Sequence, residues 1–394
     1  MLRIIKGARV FSPEYLGKKD ILIANDKIEK IADNIEPPSP DFSEVEVIDA
    51  KGKILTPGFI DAHVHLIGGG GEGGFATRTP EAMLSMLTRF GVTTAVGCLG
   101  TDGTTRHMTT LLAKARALEE EGITTYIYTG SYEIPARVIT DSPRNDIILI
   151  DKVIGIGEIA ISDHRSSQPV MHDLLRLASE ARVGGILSGK AGVLHLHVGD
   201  GRRRLDYLFD IIDEGEIPPT QMVPTHVNRS HELFNQAIRY AKMGGVIDLT
   251  SSIFPIKKND PEIKASKAIK ILLNSGVPDA NVTMSSDGFG SSPIFDNKGK
   301  LIKLGIGSVK YEYTEFRDAV LKENIPLATA LKPLTSNTAD ILKLNRKKGR
   351  IRKGLDADYI IFDEKDLSID SVVAKGKIMV QNGLPIVFGT FEKS

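Results

Sequence analysis

Between about residue 55 and residue 344 the chain repeats one pattern: a short apolar run of strand length, then a longer stretch with apolar residues at helix spacing. The strand-like runs are Phe59–Leu66, Thr93–Leu99, Thr124–Thr129, Val153–Ser162, Val193–Val198, Met222–Thr225, Val246–Thr250 and Val282–Ser285. Helical stretches between them include Thr110–Glu121, with Leu111, Leu112, Ala115 and Leu118 on one face, and Leu233–Lys242. Eight strands separated by helices predict a (β/α)8 barrel of the TIM type, whose functional residues sit at the C-terminal ends of the strands. An open, doubly wound sheet is the rival, but no Gly-rich dinucleotide fingerprint opens the first helix.

The two ends of the chain read differently. Ile21-Leu-Ile23, a turn at Asn25-Asp26 and the alternating Lys27–Ile31 form a hairpin signal, and Val45–Ile48 and Ile54-Leu55 flank a turn at Lys51-Gly52. Tyr359–Phe362, Ser371–Ala374 and Lys377–Val380, followed by Asn382-Gly383, are of the same kind. Residues 1–54 and 345–394 are therefore expected to form one small β-sandwich domain beside a barrel of residues 55–344.

The 394 residues are 41% hydrophobic, ample for a large core. Fifty basic and fifty acidic residues cancel, so no global charge draws the chain to nucleic acid or to an anionic membrane. The cluster Arg346-Lys-Lys-Gly-Arg-Ile-Arg-Lys353 is the local exception and reads as a solvated connection. Cys98 is the sole cysteine, so an internal disulfide is excluded and a buried, reduced thiol is expected. The N-terminus has no signal-peptide core, and no run approaches the roughly 18 apolar residues of a membrane span. A cytoplasmic protein is expected.

Chemistry concentrates at the strand ends. His63 and His65 leave the first strand at i and i+2, hence on one face. Glu158 lies in the fourth strand, His197 ends the fifth, His226 the sixth and Asp287 the last. Each alone has an ordinary explanation, a hydrogen-bonded core histidine or a helix-capping aspartate. Together, four imidazoles and two carboxylates fit a two-metal hydrolase site. His195 shares its strand face with His197, which suits a supporting place behind the candidate ligands; otherwise it, like His107, His164, His172 and His231, reads as structural or exposed.

The order of these residues resembles the amidohydrolase superfamily. The runs His63-Val-His-Leu-Ile-Gly-Gly-Gly-Gly-Glu72, Thr77-Arg-Thr-Pro-Glu81, Leu99-Gly-Thr-Asp102, Ile161-Ser-Asp-His-Arg165, Pro224-Thr-His-Val-Asn-Arg229 and Ser285-Ser-Asp-Gly288 resemble its isoaspartyl (β-aspartyl) dipeptidase family. The likeness covers most of the chain. It implies metal-dependent hydrolysis of the isopeptide bond of β-aspartyl dipeptides by a metal-activated hydroxide, and a homo-oligomeric enzyme.

By that resemblance, His63, His65 and Asp287 hold one Zn²⁺ and His197 and His226 a second. The family's usual bridge is a carboxylated lysine; Glu158 stands at the matching position here, and Lys152 lies too far back to replace it. The resemblance further implies that Asp287 shuttles the proton and that Tyr132 donates to the oxyanion. Arg165 and Arg229 bind substrate carboxylates, Glu72 binds the amine, and Thr101 and Ser291 supply smaller hydrogen bonds. The Gly-rich loop Gly68–Gly74 lacks the Gly-Lys-Ser/Thr of a nucleotide P-loop and is expected to close over substrate. The alternatives are another amidohydrolase, such as an N-acyl amino-acid deacetylase or a dihydroorotase-like cyclic amidase, and a non-enzymatic scaffold that has kept the barrel.

Overall fold

The structure, a computed structural model, describes residues 2–39, 44–255, 260–295 and 301–393. Eight strands of the middle region run Phe59–Val64, Val92–Gly97, Thr124–Thr129, Val153–Ile161, Val193–Val198, Met222–Thr225, Ile247–Thr250 and Val282–Ser285. The first six pair in sequence order, all parallel, and the last two pair with each other. Every residue in these strands is buried except the half-buried Tyr126, as expected where helices cover one face and packed side chains fill the other.

Two seams close the ring. Between the eighth and first strands, the Asp287 amide donates to the His63 carbonyl (3.1 Å) and the His65 amide to Gly288 (2.9 Å). Between the sixth and seventh, side chains replace the backbone ladder. The Asn228 amide donates to the Thr250 carbonyl (3.1 Å) and accepts from its N–H (2.9 Å), and Thr225 Oγ1 donates to Asp248 (2.7 Å). The strands are thus barrel-like throughout, and their C-terminal ends open on one side.

The covering helices follow the apolar periodicity. Met108–Glu121 buries Leu111, Ala115 and Leu118, and His231–Lys242 buries Leu233, Phe234, Ala237 and Tyr240. The Ser230 hydroxyl caps the latter by accepting from the Leu233 amide (3.3 Å).

The chain ends meet in a nine-stranded sheet. Leu2–Phe11 pairs with Tyr15–Ala24, Val45–Asp49 and Lys53–Pro57; the last of these pairs antiparallel with Tyr359–Asp363, which leads to Ile369–Ala374 and Lys377–Gln381. Ile5, Ile21, Ile23, Leu55, Tyr359, Ile361 and Val373 form its core. Lys53–Pro57 runs straight on into the first barrel strand, so the sheet anchors the strand that carries His63.

One reading changes. The basic cluster at 346–353 is not wholly solvated: Lys348 is 2% exposed and its ammonium pairs with Asp356 (2.7 Å) and Asp358. A buried ammonium needs such anions, because desolvation otherwise costs several kcal/mol, on the order of the usual penalty per ion.

Candidate active site

At the barrel mouth the strand ends bring six side chains to one point. His63 Nε2 lies 3.4 Å from Glu158 Oε2 and 3.6 Å from Asp287 Oδ1. His65 Nε2 lies 3.3 Å from Glu158 Oε1 and 3.0 Å from Asp287 Oδ1. From the other side, His197 Nδ1 and His226 Nε2 stand 3.3 and 3.8 Å from Glu158 Oε2. Glu158 therefore sits between two groups of donors. The four imidazoles and Glu158 are buried, while the Asp287 side chain is 16% exposed to the cavity. His226 and Asp287, each just past a strand end, have left-handed backbones (φ 61° and 54°), a strained choice for non-glycine residues.

The donor atoms suit a cation. His63 Nε2 and Glu158 Oε2 are buried without a hydrogen-bond partner, a costly state that a metal ion would relieve. Donor atoms of His63, His65, Cys98 and Glu158, and of Glu158, His197 and His226, form two groups within 4.8 Å. Imidazole nitrogen and carboxylate oxygen are ligands that zinc-like ions accept.

Electrostatics agree. Burial would depress the His63 and His65 imidazoles, but the Cys98 thiol and the Glu158 and Asp287 carboxylates outweigh it and hold both well above the histidine range. Burial would raise Glu158, yet the charge of His63 and the His197 and His226 imidazoles facing it hold it well below the usual glutamate value. The acids and imidazoles thus require positive charge among them, as protons or as a metal. His226 is driven down to about 3, chiefly by burial, so its imidazole is neutral and ligand-competent.

Each imidazole also has a partner at its other nitrogen. His63 Nδ1 lies 3.0 Å from His195 Nε2, and His65 Nδ1 lies 3.9 Å from Cys98 Sγ. His197 Nε2 lies 2.9 Å from Asp163 Oδ2, and His226 Nδ1 lies 2.7 Å from Thr250 Oγ1. Such contacts fix ring orientation and tautomer.

Beside this cluster a cavity of about 990 Å³ opens, lined by Glu72, Thr101, Tyr132, Arg165, Arg229 and Ser291, all named from sequence. Tyr132 is 6% exposed, with its hydroxyl 2.8 Å from His197 Nδ1. Burial, then the charge on Glu158, holds its phenol well above the ordinary range, so it remains a neutral donor. Arg165 pairs with Asp163 (2.7 Å) and Glu72 (3.2 Å) and lies over the Tyr132 ring. Glu72 also accepts from Ser291 (2.8 Å) and Thr101 (3.2 Å). Arg229 stands apart, 3.9 Å from Asp200. The loop carrying Glu72 is tied down by Arg106, which donates to the carbonyls of Ile67 (2.8 Å) and Gly69 (2.6 Å).

Sequence reasoning missed several members. Asp163 orients both His197 and Arg165 but lacked a repeat or a paired motif to single it out; its place two residues before Arg165 was the available signal. Cys98 is buried, as expected, yet it lies against His65 rather than in a purely apolar layer. Beneath the cluster lie three fully buried carboxyls, Asp61, Asp248 and Glu312. Burial pushes Asp61 up to about 6, and burial with the Asp61 and Asp248 charges holds Glu312 well above the glutamate range.

Comparison with known proteins follows this geometry. A β-aspartyl dipeptidase from Fervidobacterium islandicum AW-1, solved in complex with β-Asp-Leu, is 50% identical, with a TM-score of 0.90 over 98% of both chains. A 5'-deoxyadenosine deaminase from Methanobrevibacter smithii is 24% identical over 96% of this chain and 92% of its own. Dihydropyrimidinase from Brevibacillus agri, at 16% identity and TM-score 0.68 over 99% and 97% of the two chains, shares the fold. The amidohydrolase family model matches residues 54–379, which takes in every strand of the barrel and all six converging side chains, and the chain belongs to that family.

Proposed function

We propose that this protein is a metal-dependent dipeptidase that hydrolyses the isopeptide bond of β-aspartyl dipeptides. One observation carries the reading. Arg165 and Glu72, a cation and an anion 3.2 Å apart, stand beside the His–carboxylate cluster, an arrangement a zwitterionic substrate can bridge. The aspartyl part of such a dipeptide carries a free α-amino group and a free α-carboxylate next to the scissile bond. The half-identical β-aspartyl dipeptidase, solved with β-Asp-Leu, supports the same assignment.

In this reading His63, His65 and Asp287 would hold one Zn²⁺ and His197 and His226 another, with the Glu158 carboxylate, which faces both groups, shared between them. Divalent ions bound there lower the pKa of water toward about 7 and polarise the scissile carbonyl. Glu72, helped by Thr101 and Ser291, holds the substrate amine, and Arg165 its α-carboxylate. Arg229 pairs with the carboxylate of the leaving residue. The attacking water forms its oxygen–carbon bond as Asp287 takes its proton. Burial would raise the Asp287 carboxyl, but the His65 hydrogen bond and nearby imidazoles keep it below the ordinary range and therefore ionised as a base. Tyr132 donates to the oxygen that becomes negative. As the C–N bond breaks, Asp287 returns the proton to the leaving amine.

The reading extends to a barrel unit of residues 55–344 with a terminal unit of 1–54 and 345–394, in a cytoplasmic homo-oligomer. Among the described residues no helix is long and apolar enough to cross a membrane. Assay of β-Asp-Leu against α-Asp-Leu and N-acetyl amino acids tests the function. Turnover of β-Asp-Leu at least about 100-fold above the others is expected from paired charge recognition; activity confined to the N-acetyl amino acids would overturn it.

A further inference from the structure

We infer that His195 is a positioning residue for the metal centre: it accepts the Nδ1 proton of His63 and so aims the Nε2 lone pair of His63 at the ion. The inference rests on the proposed reading of His63 as a ligand. His195 lies two residues before His197 on Val193–Val198, one layer deeper in the barrel. Its Nε2 is 3.0 Å from His63 Nδ1, and the two rings meet edge to face with centroids 4.9 Å apart. Tyr128 stacks on the other side of His195, 4.9 Å away at 15°. His63, His195 and Tyr128 are each at most 1% exposed, so the contact is shielded from bulk solvent.

The logic is that of proton placement on a ring with two nitrogens. A ligating imidazole must be neutral and must carry its hydrogen on the nitrogen turned away from the metal. His63 Nε2 faces Glu158 and Asp287 and has no hydrogen-bond partner, so the hydrogen belongs on Nδ1. The partner of Nδ1 must then accept, and among the described residues the structure offers His195 Nε2 there. His197 receives the equivalent service from a carboxylate, Asp163. The first-strand ligand instead uses a neutral imidazole, clamped by an aromatic ring, which adds no second negative charge to a layer already holding Asp61 and Asp248.

The position also explains Gly157. A Cβ there would lie 2.8 Å from the His195 Cβ and 2.9 Å from its carbonyl oxygen, so any larger residue would push the ring off His63.

The test compares His195→Phe, which keeps a ring but removes the acceptor, with His195→Gln, whose terminal amide oxygen reaches the place of Nε2. Zn²⁺ affinity is measured by chelator competition, and Co²⁺-substituted protein by its visible absorption, with His63→Ala as reference. His195→Phe is expected to weaken the His63-side ion about 10- to 100-fold and shift the Co²⁺ bands, while His195→Gln recovers most of both. The ion on His197 and His226, and the melting temperature of metal-stripped protein, should change little. Wild-type affinity in His195→Phe, with His63→Ala impaired, overturns the positioning role alone. Equal losses in Phe and Gln variants that melt as wild type also overturn it. An unimpaired His63→Ala overturns the ligand assignment and the inference with it.

Discussion

Asp163 accepts from Nε2 of His197 at 2.9 Å, and through that contact the carboxylate is joined to the imidazole whose other nitrogen faces Glu158. The same carboxylate takes two hydrogen bonds from the Arg165 guanidinium, at 3.0 Å from Nε and 2.7 Å from Nη2, and a third from the Arg165 backbone amide at 2.8 Å. Asp163 thus couples the His–carboxylate cluster to the arginine that lines the cavity.

Asp163→Asn should therefore fail in two ways. Without the charge, His197 is a poorer ligand, and metal affinity should drop about 10- to 100-fold. Arg165 is also released from its anchor, so KM for β-Asp-Leu should rise. The pH behaviour is fixed by sign. Burial opposes ionisation, but His197 and Arg165 hold the Asp163 carboxyl far below the aspartate range. A depressed carboxyl stabilises the fold above its unfolded value near 3.8 and loses that effect only as pH falls toward the folded value. The stability gap between wild type and Asp163→Asn should then be constant from about pH 5 to 9 by the same linkage. A gap that opens or closes within that window in urea titrations would contradict it.

Glu158 supplies two oxygens and a charge without any added group, so activity should be indifferent to bicarbonate. Metal-depleted enzyme reloaded with Zn²⁺ alone should recover fully, and bicarbonate should change the rate by less than twofold, about the scatter of such assays. Strong bicarbonate dependence would remove Glu158 from the bridge. Glu158→Gln keeps shape but removes the negative charge and one of the two oxygens; it should lose metal along with activity, measurable by metal analysis after dialysis.

How much of this was legible in the sequence follows from what each feature depends on. The barrel strands showed as continuous apolar runs because parallel strands are buried on both faces, and Thr124–Thr129, Val193–Val198, Met222–Thr225 and Val282–Ser285 coincide with the structure. The converging histidines and carboxylates showed because strand order forces their ends to one mouth. What did not show are features made by contacts between distant segments. Asn228 closes the barrel seam with Thr250, a pairing that no local pattern announces. The strand face of His195 was legible, but its partner His63, like the contact of Cys98 with His65, was settled only by the strand registers. The burial of Lys348 depends on the turn that brings Asp356 and Asp358 back against it, so a run of basic residues read as solvent-facing conceals an interior ion triad.

That triad makes a prediction about stability. Lys348→Met leaves two buried carboxylates short of a cation and should destabilise by about 3–5 kcal/mol, the usual result of breaking a buried pair from one side. In the wild type, burial opposes the Lys348 charge, but Asp358 and Asp356 raise its pKa above 10.5. Its contribution is accordingly complete below the unfolded value and fades only as pH rises through the folded one. Lys348 and Lys27 hold the Asp356 carboxyl below the usual aspartate value against its burial, and the variant loses the larger part of that support, so its deficit should grow as pH rises through the carboxylate range. A variant whose deficit is no larger at pH 7 than at pH 4 would refute this account.

In the proposed mechanism Tyr132 separates ground-state binding from catalysis. Its hydroxyl is buried against His197, and burial keeps it protonated far into alkaline solution, so it can donate a hydrogen bond across the working pH range. A donor aimed at charge that appears only in the transition state should affect kcat and leave KM nearly alone. Tyr132→Phe should lower kcat for β-Asp-Leu about 10²- to 10³-fold, equivalent to about 3–4 kcal/mol. The ring survives in that variant, so its stacking with Arg165, at 5.4 Å, and the packing against His197 should hold substrate and metal as before. Metal content measured beside the kinetics distinguishes the two roles open to this hydroxyl. Full metal with a collapsed kcat places it on the oxyanion. Lost metal with a proportional loss of rate would make it a support for His197 instead.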